Sequence, residues 1–397
     1  MLKIKAKIGK EEKEYEVLTD PVPHILVSSD KTIHGWSQAY APRKERECTA
    51  ERFMVNPYNG CSNNCCFCYA NAMGYGYFNI FLKRGILTVF KEFDKAVAKQ
   101  LDSISIAPTG YLSAATDPFQ KVNEKYKLSE KIISEFNKRG LPIEIVTKSK
   151  IPEETIELLK GNKYNFAQVT ILTPQESIRQ KVIPYAADIK TLNENVDRLV
   201  RAGISTVVRI DPIIPGITDN ELDLERMIRK YAGLGARHII TSVMDVPTSI
   251  KQKISKQLSG EKHYFDEQDF PEKIFNDLNK SIDYRKKIFS FMRRACDKAG
   301  ITFALCMEFE ITKDKIDGKP VLKGLNAEFK SSNNCEGIDT PMHIKKNGIF
   351  QPVEGCDGNC LNCRKDPSPC GIKEMQKAGS WKLPDYRRWS KCLDSKT

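Results

Sequence analysis

The sequence predicts an α/β protein that is built from parallel strand–helix–strand units. Short apolar runs alternate along the chain with longer amphipathic stretches, which is the pattern of parallel βαβ units. Several of the amphipathic stretches end at a glycine, as helices commonly do. The length of 397 residues allows one large domain with a smaller appendage.

The predicted elements follow one another in regular order. Strands are expected at residues 85–92, 104–107, 143–146, 167–172, 205–210, 238–241 and 302–306. Helices are expected at residues 93–101, 128–139, 152–159, 189–202, 222–232 and 284–299. A short hairpin over residues 3–7 and 14–17 precedes them. In parallel barrels of this kind, ligands bind at the carboxyl ends of the strands.

A cysteine-rich loop at residues 56–70 is the most informative stretch. Cys61, Cys65 and Cys68 stand in the spacing Cx3Cx2C, and thiolates spaced in this way converge on one metal centre. Three ligands leave one iron of a four-iron cubane open, just as a catalytic zinc keeps one free position. A structural zinc would need a fourth ligand, for which Cys66 is poorly placed next to Cys65. We therefore interpret Cys66 as a packing thiol.

With Phe67 before its third cysteine, this loop resembles the signature of the radical S-adenosylmethionine (SAM) enzymes. The longer phrase over residues 56–70 resembles the spore-photoproduct-lyase-like branch of that superfamily. The resemblance implies a partial (β/α)6 TIM-like barrel and a 4Fe-4S cluster whose open iron holds SAM. It also implies a reductant such as a ferredoxin or flavodoxin. Reductive cleavage of SAM then gives a 5′-deoxyadenosyl radical that abstracts hydrogen from a substrate.

Three downstream segments extend the resemblance. Residues 116–120 resemble the branch's TDPYQPxE segment, although Asn123 stands where that pattern has Glu. Residues 147–149 match its TKS segment, and residues 212–219 resemble PIIPGxTD. The resemblance implies that Lys148 meets the SAM carboxylate, although a solvated lysine before a helix is the alternative. The other candidate contacts to SAM or substrate are Asp117, Ser149, Thr170 and Asp211.

One departure bears on the reaction. In the photoproduct lyase, a cysteine just upstream of the acidic segment returns hydrogen to the product radical. Here the corresponding stretch is Ser113-Ala114-Ala115, which has no thiol. Tyr111 is a weaker candidate for that step. The departure counts against repair of a DNA photoproduct by that mechanism.

A second cysteine group lies near the end of the sequence. Cys356, Cys360 and Cys363 repeat the Cx3Cx2C spacing, Cys370 follows them and Cys335 precedes them. Four or five such ligands predict a closed metal site that holds an auxiliary 4Fe-4S cluster or a structural zinc. The absence of histidine among these cysteines favours the cluster. Of the other cysteines, Cys296 and Cys306 are interpreted as core residues and Cys392 as a tail residue.

These motifs divide the chain into three predicted regions. An N-terminal extension covers residues 1–53, the barrel covers 54–306, and a cysteine-rich metal-binding region covers 307–397. A polar insertion at 247–280 is interpreted either as a lid over the barrel mouth or as a plain surface excursion.

Composition limits the partners. The net charge of +12 permits a nucleic acid or another acidic partner. The chain has 13 cysteines and starts without the apolar core of an export signal, which predicts a reducing, cytoplasmic location. It has no apolar run long enough for a membrane span. Two alternatives remain open, namely a nucleic-acid repair or modification enzyme and a zinc-stabilised binding protein without catalysis. The sequence leaves the substrate unidentified.

Overall fold

A seven-stranded parallel sheet forms the centre of the computed structural model, which describes residues 2–8, 11–28, 31–36, 43–73, 76–258, 270–274 and 277–394. In chain order the strands are β1 (Arg52–Val55), β2 (Thr109–Leu112), β3 (Ile143–Thr147), β4 (Phe166–Thr170), β5 (Ser205–Ile213), β6 (His238–Val243) and β7 (Thr302–Leu305). Each strand pairs in parallel with the next one in sequence. This succession is the partial barrel that the sequence predicts.

The helices begin and end where the chain supplies capping groups. Asp188, Asn220 and Ser281 each accept a hydrogen bond from the backbone N–H three residues later, which caps the helices that follow them. The helices are Gly76–Arg84, Phe93–Asp102, Lys121–Tyr126, Leu128–Lys138, Glu153–Leu159, Glu176–Val182, Ile189–Arg201, Glu221–Leu234, Lys251–Leu258, Ile282–Ala299, Asn326–Phe329 and Leu383–Asp394. Short 3-10 turns cover Tyr69–Ala72, Thr248–Ile250, Cys360–Asn362 and Lys373–Gln376. All six predicted helices are present within about two residues of the expected bounds.

Two of the predicted strands lie outside the barrel. The apolar run at Leu87–Phe90 pairs with His24–Val27 and Tyr58–Asn59 in a separate sheet, and Ile106–Ala107 pairs with the C-terminal strand His343–Lys346. The first two barrel strands are instead Arg52–Val55 and Thr109–Leu112. Both are short and begin with a polar residue. Apolar patterning alone therefore placed the start of the barrel wrongly.

The flanking regions form small antiparallel units against the barrel. The predicted hairpin is present as Leu2–Ile8 and Glu11–Val17. After the barrel, Phe309–Lys313 pairs with Pro320–Gly324, and His343–Lys346 pairs with Ile349–Pro352. One apolar core contains barrel residues together with Ile33 from the N-terminal region and Tyr386 and Trp389 from the last helix. The three regions predicted from the sequence thus share a core, and their boundaries remain predictions.

The insertion packs onto the cysteine-rich loop. Its described part contains strands Val246–Pro247, Glu272–Ile274 and Asp277–Asn279 beside the helix Lys251–Leu258. Ile250, Ile254 and Leu258 are buried in the same apolar cluster as Cys65 and Cys66. No helix in the described part of the chain is long and apolar enough to cross a membrane.

Candidate active site

The cysteine-rich loop follows β1 and begins at a glycine that the backbone requires. Gly60 has φ +80°, and a Cβ added there would lie 2.6 Å from Cγ of Phe81. This conformation and close approach favour glycine directly before Cys61. Cys66 N–H donates to Val182 O at 3.0 Å, and its side chain is fully buried. The prediction that Cys66 packs in the interior is consistent with this position.

The three predicted ligand thiols are neighbours in a water-poor site. Burial raises the pKa of Cys61, with Asp117 and the Cys65 and Cys68 thiols as further causes. Burial likewise raises the pKa of Cys65 to about 12, and the nearby Lys148 ammonium partly offsets this effect. Among the described residues, no three His, Cys, Asp or Glu side chains are already arranged around a metal position. The donor set itself, three adjoining thiols beside a cation, fits a cluster whose ligands are thiolates.

The TDPFQ segment anchors this loop. Gln120 Oε1 accepts from Ser62 N–H at 3.0 Å, and its Nε2 donates to Gly60 O at 3.2 Å. Asn123 stands where the family pattern has an acid, and it makes a different contact. Its Oδ1 accepts a hydrogen bond from Tyr58 Oη at 2.6 Å. Its amide nitrogen donates to both carboxylate oxygens of Glu130. The departure from the family pattern at Asn123 is therefore compatible with a structural role.

Asp117 joins three parts of the site through its carboxylate. It accepts from Asn63 Nδ2 on the cysteine loop at 3.0 Å, from Thr147 Oγ1 at 2.9 Å and from Lys148 N at 2.7 Å. It also accepts from Phe119 N at 2.9 Å. These donors occupy both oxygens, so the contacts favour a positioning role over the predicted direct contact to SAM or substrate.

Ser149 belongs to the same junction. Its Oγ accepts from Asn63 Nδ2 at 3.1 Å, and its backbone carbonyl accepts from Asn195 Nδ2 at 2.9 Å. Ser149 therefore links the cysteine loop to the end of β3 and to the helix Ile189–Arg201. The contacts again favour positioning, and its predicted role in binding the cofactor remains a prediction.

Two predicted SAM contacts are better placed to reach a ligand. Lys148 directly follows β3 at the carboxyl edge of the sheet, where its ammonium opposes the rise that burial causes in the pKa of Cys65. Thr170 ends β4, is 1% exposed, and its Oγ1 has no hydrogen-bond partner. A buried hydroxyl without a partner costs free energy, and a bound ligand would supply the partner. The residues present therefore fit SAM as well as its cluster.

A polar group lines the barrel interior, or lumen, beside Thr170. Arg209 of β5 pairs in register with Thr170, and its guanidinium binds the Asp211 carboxylate. Arg209 Nη1 donates to Gln168 Oε1 at 2.9 Å, and the Ser242 hydroxyl donates to Asp211. Asp211, predicted as a contact to SAM or substrate, thus lies half-buried in the lumen.

Cys306 lies in the lumen too, where it packs against the buried cluster of Phe166, Val207 and Ile240, which is consistent with its interpretation as a core residue. Its Sγ accepts from Arg209 Nη2 at 2.9 Å, and the side chain is only partly buried. It directly follows β7, at the carboxyl edge of the sheet. Its apolar strand hides this position in the sequence, and only the position at the strand end hints at it.

Tyr69 connects the cysteine loop with this lumen. Its phenol donates to Ala114 O at 2.7 Å, within the segment that lacks a cysteine. Burial first, and then the Cys68 and Cys306 thiols, raise the pKa of Tyr69. The side chain is nevertheless 47% exposed. Sequence reasoning gave Tyr69 no role of its own.

The amino end of the lumen is filled by charges that sequence reasoning missed. Arg52 of β1 pairs with Glu144 of β3 at 3.4 Å and with Glu336 at 2.5 Å, and all three side chains are buried. Glu336 comes from the segment before the C-terminal hairpin, where Ile338 packs against Phe166, Val207 and Ile240. This segment closes the barrel opposite the cysteine loop.

The C-terminal cysteines separate into two places. Burial raises the thiol pKa values of Cys356, Cys360 and Cys370, and thiols of the same set, Cys363 among them, raise them further, so these four lie close together as one group. Cys335 instead contacts the Cys48 thiol and lies beside Glu336. The structure therefore does not bring Cys335 into the predicted ligand group.

The comparisons with known proteins agree with this site. Residues 55–228 match the model of the Radical SAM superfamily, and this stretch contains the cysteine loop and every predicted SAM contact. A Radical SAM Nalpha-GlyT isomerase of Pseudomonas phage M6 is 27% identical over 392 residues, which cover 92% of this chain and 78% of that protein. An uncharacterized protein of Methanocaldococcus jannaschii is 25% identical over 188 residues, which cover 46% of this chain and 69% of that protein.

A solved structure shows the same fold. A spore photoproduct lyase variant with bound AdoMet and dinucleoside spore photoproduct superposes with a TM-score of 0.53 at 14% identity, covering 69% of this chain and 79% of that one. The sheet and the cysteine loop define the class: this protein is a radical SAM enzyme. Its barrel is of the spore-photoproduct-lyase-like kind, and the family implies a 4Fe-4S cluster and SAM as its cofactors.

Proposed function

We propose that this radical SAM enzyme is an isomerase. The similarity to the phage Nalpha-GlyT isomerase, which extends over 92% of the chain, is the observation that carries the proposal. It includes the cysteine-rich C-terminal region as well as the barrel, whereas the family model covers residues 55–228 alone. The substrate we propose is a compound of the Nalpha-GlyT type.

Each part of the site has a distinct task under this proposal. Cys61, Cys65 and Cys68 hold the cluster, Lys148 and Thr170 bind SAM, and the junction residues Asp117 and Ser149 keep loop and strand ends in place. The bound cluster and SAM supply a 5′-deoxyadenosyl radical that takes a hydrogen atom from substrate carbon. Arg209 and Asp211 orient the substrate, because both face the lumen beside the unpartnered Thr170 hydroxyl.

A closed lumen suits this chemistry. The segment with Glu336 and Ile338 fills one end of the barrel, and the insertion packs over the cysteine loop at the other. Exclusion of water and of foreign hydrogen donors protects a radical until it has rearranged. We therefore assign the insertion the role of a lid.

We propose that Cys356, Cys360, Cys363 and Cys370 hold a second 4Fe-4S cluster, with zinc as the alternative. Their mutual proximity supports one site, and four thiolates without histidine suit either metal centre. The electron for SAM cleavage comes from a ferredoxin or flavodoxin. In the described part of the chain, no disulfide joins any of the 13 cysteines, which supports a reducing cytoplasmic location.

The test uses the anaerobically reconstituted protein with SAM, a chemical reductant and Nalpha-GlyT as the probe. We expect 5′-deoxyadenosine and a product of unchanged mass with a different chromatographic retention. A variant with Cys61, Cys65 and Cys68 all changed to Ala should give neither compound. A product that is heavier by a methyl group, or lighter by two hydrogens, contradicts the isomerase proposal.

Nucleic acid is the second candidate substrate class, and the net charge of +12 favours it. It predicts binding of single- or double-stranded DNA or RNA whose affinity falls about tenfold or more when salt rises from 50 to 200 mM. Salt-independent binding, or no binding at low salt, contradicts this second proposal. The radical chemistry is the same for both substrate classes.

A further inference from the structure

Besides the residues already assigned, the lumen contains a thiol that no part of the proposed mechanism uses. Six cysteines lie outside the two metal groups. Cys66 and Cys296 are fully buried, Cys392 is exposed on the last helix, and Cys48 and Cys335 contact each other. Cys306 alone among these six combines partial exposure with a contact to the polar group that lines the lumen.

The contact with Arg209 leaves the thiol hydrogen free. A guanidinium has donors and no acceptor, so Arg209 Nη2 donates to the sulfur and cannot accept the S–H hydrogen. Arg209 is held by Asp211 and by Gln168 Oε1 at 2.9 Å, which fixes its position. The sulfur is thereby oriented while its hydrogen remains available to a neighbour in the lumen.

The thiol also lies between the two sides of the site. On one side, Tyr69 directly follows the ligand Cys68, and its phenol donates to Ala114 O at 2.7 Å, in the segment where the family pattern has its thiol. On the opposite wall, Thr170 lies beside Arg209 in register, and its buried Oγ1 lacks a partner. An unpartnered buried hydroxyl next to the thiol's own partner marks this part of the lumen as ligand space.

We propose that Cys306 is a catalytic residue that donates a hydrogen atom to the rearranged substrate radical. This inference rests on the proposed isomerase reaction. In the step, the Cys306 S–H bond breaks homolytically and a product C–H bond forms, which leaves a thiyl radical on Cys306. One electron from the ferredoxin- or flavodoxin-type donor and one proton from solvent restore the thiol. Each turnover thus consumes one SAM and two electrons, and the substrate is neither oxidised nor reduced.

The assigned donor follows a different strand from the one that the family pattern suggests. The segment Ser113-Ala114-Ala115 follows β2, whereas Cys306 follows β7 at one edge of the seven-stranded sheet. Arg209 connects the two strands, because it donates to the Cys306 sulfur and partly offsets the rise that burial causes in the pKa of Tyr111 on β2. A thiol after β7 therefore faces the same lumen as the segment after β2.

A test that needs no substrate uses deuterium. Without substrate, SAM cleavage in D2O leaves the adenosyl radical to take hydrogen from the nearest exchangeable donor, which we infer is the Cys306 S–D group. The wild type should give mono-deuterated 5′-deoxyadenosine and a sulfur-centred radical in freeze-quenched electron paramagnetic resonance spectra. Cys306→Ser should still cleave SAM, but the product should carry deuterium only at background, because the O–H bond of an aliphatic alcohol is stronger than the C–H bond that would form.

Matched variants keep the test specific. Cys296→Ala, which changes a fully buried cysteine in the helix Ile282–Ala299, should behave as the wild type does. Deuterium that persists in Cys306→Ser, or that is lost in Tyr69→Phe or Tyr111→Phe with Cys306 intact, overturns the proposal. These readouts are independent of Nalpha-GlyT turnover, so they also separate failure of this inference from failure of the isomerase proposal.

Discussion

Gly60 shows how one residue sets the geometry of the cysteine loop. A side chain at this position meets two obstacles, a left-handed backbone at φ +80° and the ring of Phe81 within 2.6 Å. A non-glycine residue in the left-handed region costs about 1–2 kcal/mol, and steric overlap adds to that. This backbone conformation leads directly into Cys61, so a strained residue at position 60 would disturb the cluster site.

We predict that Gly60→Ala lowers the free energy of unfolding by about 2–4 kcal/mol. Gly233→Ala is the matched control, because Gly233 lies in the helix Glu221–Leu234 with nothing within 4 Å of an added Cβ. This control should be neutral or stabilising by up to about 1 kcal/mol. Urea denaturation of both variants is the measurement, and equal stabilities would refute the steric account.

Asp117 provides a second prediction at the residue scale. Asp117→Asn replaces an acceptor oxygen by an amide that cannot accept from Asn63, Thr147 and Lys148 together. Mutation of residues that orient metal ligands commonly lowers metal affinity or activity about 10–100-fold. We expect a chelator to remove iron from this variant about tenfold faster than from the wild type.

Asp102→Asn is the control for that measurement. Asp102 also forms charge-assisted hydrogen bonds, to Arg139 at 2.7 Å, but it lies on an exposed surface away from the cysteine loop. Iron loss from this control should match that of the wild type. If both variants lose iron at the same rate, Asp117 does not position the cluster loop.

At the scale of elements, the C-terminal cysteine group should behave as an independent metal site. Changing Cys356 and Cys360 together to Ala removes two of four neighbouring thiols, so this variant should lose the metal of that site and keep the cluster of the barrel. Cys335→Ala should retain both metals, because Cys335 contacts Cys48 instead of the group. Metal analysis of the two variants is the measurement, and metal loss in Cys335→Ala would restore Cys335 as a ligand.

The sequence predicts some elements better than others for physical reasons. The helix Ile189–Arg201 was placed well because it is strongly amphipathic and has Asp188 as its cap. The strands β1 and β2 were missed because they are short and begin with the buried polar residues Arg52 and Thr109, and Arg52 is buried with a partner, Glu336, that is distant in sequence. Local patterning does not contain such long-range compensation.

The site residues that belong to local motifs were predictable from the sequence, and those brought together only by the fold were not. Cys61, Cys65, Cys68 and Lys148 follow from local motifs, and the structure places them together. Arg209, Tyr69 and Cys306 come from three separate segments, and only the folded barrel brings them to one lumen. Asp117 was predicted as a contact, but its hydrogen bonds to Thr147 and Lys148 were not visible in the sequence.

At the scale of the whole molecule, the terminal regions complete the barrel. Glu336 neutralises Arg52 inside the lumen, and Tyr386 of the last helix packs on Phe53 with ring centroids 4.4 Å apart. Removal of either contact would leave a buried charge or a cavity next to β1, the strand that leads into the cysteine loop. The C-terminal region therefore supports the radical site structurally, independently of the metal that we propose for its cysteines.

The thiol of Cys306 bears on which substrate classes are compatible with the site. With a thiol supplied by Cys306, the missing cysteine in the segment 113–115 no longer excludes hydrogen return by a thiol. A nucleic-acid substrate is therefore compatible with the proposed chemistry. The isomerase proposal is tested separately, by whether the product has the same mass as the substrate. Both depend on the radical SAM site.

The most direct test of that site is the formation of 5′-deoxyadenosine and methionine from SAM. The anaerobically reconstituted wild type, given a low-potential reductant, should form both products in equal amounts. The variant with Cys61, Cys65 and Cys68 all changed to Ala should form neither, although its C-terminal metal remains. A wild type that holds its full iron and leaves SAM intact, or a triple variant that cleaves SAM as the wild type does, would contradict the assignment of these three cysteines as the radical centre.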